Sequence, residues 1–404
     1  VPSYDPPVPR ARPLALVAGV AAVALAVGVA CSGDTARPVG ASSSSDAAHD
    51  HAGTLPASEL PPPAPAPATP AAVDIYAADR PNQLSPVVAA FPSRIYVPNS
   101  VSNTVDVIDP ATMKIISHFP VGAEPQHVVP SYDLKTLYVA ADQGNSLTPI
   151  DPATGQPGAP IPVDDPYNLY FTPDGQFAIV VAERLARLDF RDPHTFRLVK
   201  SIPVPCSGVD HMDFAADGSY LIASCEFSSE MVKVTLSPNG PTYAGKLKLL
   251  AGSKPQDVKL SPDGTIFYVA DMVGGGVWEI DGAKFTTVGF LPTGRGAHGL
   301  YVSRDSKDLY VSNRDEGSVS VVDLASRTVR VKWELPGGGS PDMGGVSADG
   351  TTLWLSGRSN SEVYVIDTTT GALKTRIPVG EGPHGLCVYP QPGRFSLGHT
   401  GVFR

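Results

Sequence analysis

From about residue 87 to the end of the chain, apolar and polar positions alternate in short runs of period two, as in SVSVVD (318–323) and EVYVID (362–367). Successive side chains of a strand point to opposite faces, so such runs predict half-buried β-strands. No stretch sustains a helical period, and the fold expected is all-β. The runs recur in one cycle. An apolar stretch and a turn lead to an LYV-like run, then a polar loop, then an alternating run ending in ID or VD, then a last strand and a Gly/Pro-rich link. The LYV-like runs begin at Ile95, Leu137, Leu221, Phe267, Leu309 and Leu353, with a blurred copy near Ile179. Their spacing of about 40–46 residues is that of four-stranded propeller blades. TPDG (172–175), AADG (215–218), SPDG (261–264) and SADG (347–350) place Asp-Gly at the tight turn between first and second strands.

The domain expected is a single β-propeller over residues 73–404, its ring closed by pairing N- and C-terminal strands. First strands can be counted eight times if SPVVAAF (85–91) and HGLCVY (384–389) are included, but third and fourth strands only seven times. Seven blades is the reading adopted; an eighth, closed by VDIYAAD (73–79), is the alternative. IYVPNSVSNTVDVID (95–109), LYVSN (309–313) and SVSVVD resemble the YVTN β-propeller repeats of exported bacterial proteins. The resemblance covers nearly everything after residue 86. It implies a scaffold used for binding, surface and redox roles alike, and so speaks to fold rather than activity.

Residues 1–31 read as an export signal: Arg10 and Arg12 precede the apolar run 14–30, which stops at Cys31. Cys31 after the small Ala30 resembles the lipid-attachment cysteine of bacterial lipoproteins, although Gly28 departs from that pattern. A cleaved signal and a short transmembrane anchor are the alternatives. All three place the rest of the chain outside the cytoplasm, on the outer face of the cytoplasmic membrane or in the cell envelope. Residues 32–72, rich in Ser, Ala and Pro, are expected to be a disordered tether. His49 and His51 within it read as solvated linker residues. A formal net charge of −10 with pI near 5.3 leaves no basic stripe for a phosphate backbone, so no nucleic-acid partner is expected. The partners expected are the membrane, through the N-terminal anchor, and a small ligand or an envelope protein, with the chain itself a monomer.

Candidate chemistry gathers where each first strand enters the channel. The residue before each apolar start is His127, Asn168, His211, Asp257, His298, Asp342 or His384, an inner ring of donors, acceptors and potential ligands at the channel mouth. A second ring, read at the ends of second strands, comprises Asn99, Cys225, Asp271, Asn313, Arg358 and His399, with Glu124 and Glu381 in nearby links. A polar residue at such a position can simply tie one blade to the next. Four histidines and two aspartates together favour a divalent metal. Imidazole suits Zn, Cu or Fe and carboxylate suits Ca, so the set does not choose among them. Cys206 and Cys225 are expected to form a disulfide, with a thiolate site beside His211 as the rival reading. Cys387, inside the last first strand, reads as a buried, inert thiol. The chain has no CxxCH haem attachment and no GxSxG elbow. The functional expectation is an exported, membrane-tethered binding propeller with a His/Asp-lined ligand or metal site at the mouth. A metal-dependent enzyme, lactonase-like or redox, and a pure interaction scaffold are the alternatives, and whether the protein is an enzyme is left open.

Overall fold

The computed structural model describes residues 53–66 and 73–404, within one compact unit spanning His51–Arg404. The expected export signal with Cys31, and His49 and His51 of the tether, lie outside the described residues. Among the described residues no helix is long and apolar enough to cross a membrane.

Seven antiparallel sheets form seven blades. Their innermost strands are Cys387–Tyr389 (blade 1), Pro125–Pro130 (blade 2), Asn168–Phe171 (blade 3), Val209–Phe214 (blade 4), Pro255–Leu260 (blade 5), Ala297–Val302 (blade 6) and Pro341–Val346 (blade 7). Blade 1 is composite. Its three outer strands, Arg94–Asn99, Thr104–Asp109 and Lys114–Pro120, come from the start of the repeat region, and its innermost strand comes from the end. The seam is the antiparallel register Arg94↔Tyr389, Ile95↔Val388 and Tyr96↔Cys387.

The Asp-Gly turns form where the sequence places them. Gly175, Gly218, Gly264 and Gly350 all adopt φ between 70° and 81°, the left-handed region that a residue without Cβ enters at no steric cost. Asp174, Asp217, Asp263 and Asp349 each accept a hydrogen bond at 3.0 Å from the backbone N–H two residues on, which closes the turn locally.

Because the strands are amphipathic on two faces, each blade buries one face against each neighbour. Every junction has its own apolar cluster. Ile222 and Met231 of blade 4, for instance, meet Val258, Val269 and Trp278 of blade 5, and Ile95 and Val97 of blade 1 meet Trp354, Val363 and Val365 of blade 7. The eight-bladed alternative fails here. VDIYAAD forms no strand: Ala77–Asp79 is a single 3-10 turn, Tyr76 is buried with its hydroxyl donating to Leu260 O at 2.7 Å, and SPVVAAF forms turns that insert Val88 beside Tyr389 and Phe403. These segments cover the ring rather than extend it.

Part of the expected tether also packs. Residues 53–66 run along blade 5, where Phe290 N–H donates to Pro62 O at 3.3 Å, Ala64 N–H donates to Glu279 Oε2 at 2.5 Å, and Leu60 joins the blade 4–blade 5 cluster. Composition alone underrated this stretch because a proline-rich segment needs only an edge to lie on, not a core of its own.

A two-tier histidine chamber as candidate functional site

The innermost strands of blades 2, 4, 5, 6 and 7 each slip register against the second strand near their start, between Pro125/His127, Val209/Met212, Pro255/Val258, Ala297/Leu300 and Pro341/Gly344. A bulge of this kind sets two residues against one on the partner and re-aims side chains. Counting from these bulges, the inner ring divides into two tiers. His298 and Asp342 occupy the first bulge position, and His384 matches them, since the preceding Pro383 bridges Asn99 as Val209 pairs Cys225. His127, His211 and Asp257 occupy the second position, one residue deeper, and Asn168 matches them through its pairing with Val181. The single ring expected from sequence is therefore two staggered layers.

A second difference concerns access. The inner-ring residues and His399 are between 0 and 2% exposed, so they line a closed chamber inside the channel rather than an open mouth. His399 is not at the end of a second strand. It lies on the C-terminal tail, which returns into the channel from the end where the innermost strands leave it. Phe171 N–H donates to Leu397 O and His399 N–H to Leu169 O, both at 2.9 Å, and Arg404 Nη2 contacts Asp213 Oδ1 at 3.0 Å.

In the deep tier His399 approaches His211 with ring centroids 4.7 Å apart and His127 at 5.2 Å. The Asn168 amide donates to Nδ1 of both His211, at 3.1 Å, and His399, at 3.0 Å. Its own orientation is held by Leu169 N–H donating to Oδ1 at 2.8 Å. His127 Nδ1–H donates to Tyr167 O at 3.0 Å, which leaves the Nε2 lone pair with no hydrogen-bond partner among the described residues. One nitrogen from each of these three rings lies within 4.8 Å of the others, and the same holds for ligand atoms of His298, Asp342 and His384. In that upper tier His298 Nδ1 stands 2.9 Å from Asp342 Oδ1, His384 Nε2 stands 3.7 Å from Asp342 Oδ2, and Arg314 Nη1 contacts Asp342 Oδ1 at 3.3 Å.

Burial disfavours the imidazolium. It pushes His211 and His298 down to about 4 and holds His127, His384 and His399 well below the ordinary histidine value. All five are neutral near pH 7, the form that ligates metals. Burial alone would raise Asp342, but His298, Arg314 and Arg358 outweigh it and hold the carboxyl below its usual range. Asp257, buried beneath them, is raised by desolvation.

The second ring does not join the chamber as a set. Asn99 bonds Thr104 and Asp106, Asn313 bonds Ser318 and Ser320, and Asp271 accepts from Trp278 Nε1 at 2.8 Å and from Lys254 N–H at 3.0 Å. These tie strands and links within their own blades. Arg358 is half-buried and its charge acts on His127, His384 and Asp342. Glu124 is buried beside Gln126, and Glu381 faces solvent. Cys206 and Cys225 are joined as a disulfide, with Cα atoms 6.0 Å apart. Cys387 is buried among Tyr96, Val128 and Tyr389, and its thiol is pushed up by that burial.

Sequence reasoning missed Tyr167, whose carbonyl sets the His127 tautomer, and Arg314, which follows Asn313 directly. It also missed Asp210, whose Oδ1 lies 3.0 Å from His211 Nε2. The adjacent Asp210-His211 pair at a strand start was the available signal, since a bulge can turn both toward the axis.

The fold and chamber define a seven-bladed propeller with a buried His/Asp cluster on its axis. The profile of the YNCE-like β-propeller family matches residues 65–393, and the chain belongs to that family. Antigen Lp49 of Leptospira interrogans is 30% identical over 160 residues, 34% of this chain and 34% of that protein, so the chain spans about a third of that relative's length. Among solved structures, the periplasmic gluconolactonase PpgL of Pseudomonas aeruginosa superposes with TM-score 0.62 at 18% identity, covering 74% of this chain and 99% of that one. A functionally unknown protein of Desulfotomaculum acetoxidans gives TM-score 0.62 at 16% identity, covering 73% and 98%. At these identities the structural likeness speaks to fold alone.

Proposed function

We propose that the protein is an exported propeller that holds a transition-metal ion in its axial chamber. The observation that carries this reading is the His127 Nε2 lone pair, buried and without a hydrogen-bond partner among the described residues, beside a cluster of neutral imidazoles. An unsatisfied buried polar atom costs on the order of 1–3 kcal/mol, which coordination would recover. The surroundings fit a ligand set, because Tyr167 O accepts from His127 Nδ1–H, and the Asp210 and Asp257 carboxylates stand 3.0 and 3.6 Å from Nε2 of His211 and His399, as outer-shell partners of metal-binding histidines do. Donor chemistry favours Zn, Cu, Fe or Ni over Ca, which takes six to eight oxygens. A bound ion would lend Lewis acidity or redox chemistry. The closed chamber favours holding an ion over turning over a bulky substrate, so the binding reading stands ahead of the hydrolase and redox-enzyme alternatives.

Export is supported by the charged and apolar pattern of residues 10–31 and by the Cys206–Cys225 disulfide, a bond that persists in oxidising compartments. A membrane tether through Cys31 belongs to the same proposal, as does a monomeric state. Isothermal titration of the full, chelator-stripped chain with Zn(II) and with Cu(II) tests the metal reading. Saturable binding at defined stoichiometry is expected, and absence of binding for both ions contradicts it. Cell fractionation with mass analysis of the mature N-terminus tests export and lipidation.

A further inference from the structure

The chamber offers two tiers, and they differ in what charge already surrounds them. In the upper tier Asp342 is engaged by His298 and Arg314, and Arg358 acts on both Asp342 and His384. Two guanidinium groups thus already act where a divalent cation would sit in the upper tier, and like charges repel. The deep tier has carboxylates beside two of its rings: Asp210 Oδ1 lies 3.0 Å from His211 Nε2 and Asp257 Oδ1 lies 3.6 Å from His399 Nε2, while Arg358 also acts on His127.

Resting on the metal reading above, we infer that the ion binds the deep tier, His127, His211 and His399, and that the C-terminal tail is the closing element that brings its third ligand. Geometry supports the coupling. Tetrahedral zinc with bonds near 2.1 Å needs ligand nitrogens about 3.4 Å apart, a spacing inside the 4.8 Å within which the three nitrogens gather. His127 and His211 are fixed on blade strands. His399 rides on a segment flanked by Gly398 (φ 101°) and Gly401 (φ 130°), attached by a few backbone hydrogen bonds rather than a full ladder. Adjustment of the ligand set around an ion therefore falls on the tail, and metal occupancy and tail docking form one equilibrium.

The test uses the full chain, stripped of metal and titrated with Zn(II), as parent, H399A, H399Q and H298A. Hydrogen exchange is followed at the amides of Leu397, His399 and Val402, and circular dichroism verifies folding. One zinc per chain is expected in the parent and in H298A. H399A and H399Q should bind more than about 100-fold more weakly, beyond the 10- to 100-fold cost of losing an outer-shell partner. Zinc should slow exchange of the tail amides at least about tenfold in the parent. Loss of zinc by H298A with retention by H399Q assigns the ion to the upper tier and overturns the inference while leaving the metal reading intact. Equal loss in all variants, or stoichiometric zinc with unchanged tail exchange, overturns it too. A parent that binds no zinc defeats the metal reading itself. Should H399A fail to fold, H399Q and the exchange data on the parent decide.

Discussion

Asn168 holds His211 and His399 by one amide, at 3.1 and 3.0 Å, although His211 belongs to a blade strand and His399 to the returning tail. The tail reaches this position only because Gly398 lies against blade 3: a Cβ there would stand 2.4 Å from Leu169 O and 2.5 Å from Tyr170 Cα, at a φ of 101°. Gly398→Ala should dislodge the tail without altering any imidazole. The expected cost is roughly 1–3 kcal/mol of strain, seen as a fall of several degrees in melting temperature with faster exchange in residues 396–404. An unchanged melt contradicts the close approach.

The buried histidines predict an acid-sensitive fold. In the metal-free protein His211 and His298 stay neutral down to about 4, whereas in the unfolded chain they take up protons near 6.5. Between those values the unfolded state binds more protons, so stability rises with pH across the window and falls as pH drops from about 6.5 toward 4. The loss is on the order of 3 kcal/mol per histidine at its limit. Melts between pH 7 and 4.5 should show it, and the double variant H211Q/H298Q should flatten the curve. A profile equally steep in that variant would rule these residues out as the cause.

Cys206 lies in the link entering blade 4, and Cys225 ends the second strand of the same blade, paired with Val209. Closing a loop with a sequence separation of 19 should stabilise the fold by about 3 kcal/mol on a chain-entropy account. Peptide mapping without reductant should recover the two cysteines linked, and the C206S/C225S variant should melt several degrees lower. Recovery of both as free thiols in exported material would revive the thiolate reading beside His211.

Ring closure depends on three residue pairs at the blade 1 seam. A chain ending at Pro383 lacks the innermost strand and the tail, and should lose its cooperative transition. By contrast, removing residues 1–52 should leave the transition in place. Removing residues 53–66 as well takes away Leu60 and the Ala64–Glu279 hydrogen bond, and should lower the midpoint modestly. A chain ending at 383 that melts as sharply and as high as the full one would refute closure by the terminal strands.

The blades were legible because period-two alternation, Asp-Gly turns and a fixed repeat all point to the same unit. The convergence of His127, His211, His298 and His384 was legible because each precedes an apolar strand. Their division into tiers went unread although it leaves a trace: His298 and His384 are each followed by a glycine before the apolar run, whereas His127 meets Val128 directly, and the bulge that separates the tiers is set by pairing with the neighbouring strand. His399 was misplaced for a related reason. SLGHTGVFR shares the apolar spacing of a strand end, but its glycines let it enter the channel, where Gly398 bridges Tyr170.

Metal content of the full chain purified from an exporting host, measured against H127A prepared in parallel, tests the central claim most directly. His127 is the choice because its Nε2 is buried and lacks a hydrogen-bond partner among the described residues, so that atom is the one a bound ion would satisfy. The account predicts a stoichiometric transition metal in the parent and its loss from a folded H127A chain. A metal-free parent that also takes up none of Zn, Cu, Fe or Ni on titration would contradict it.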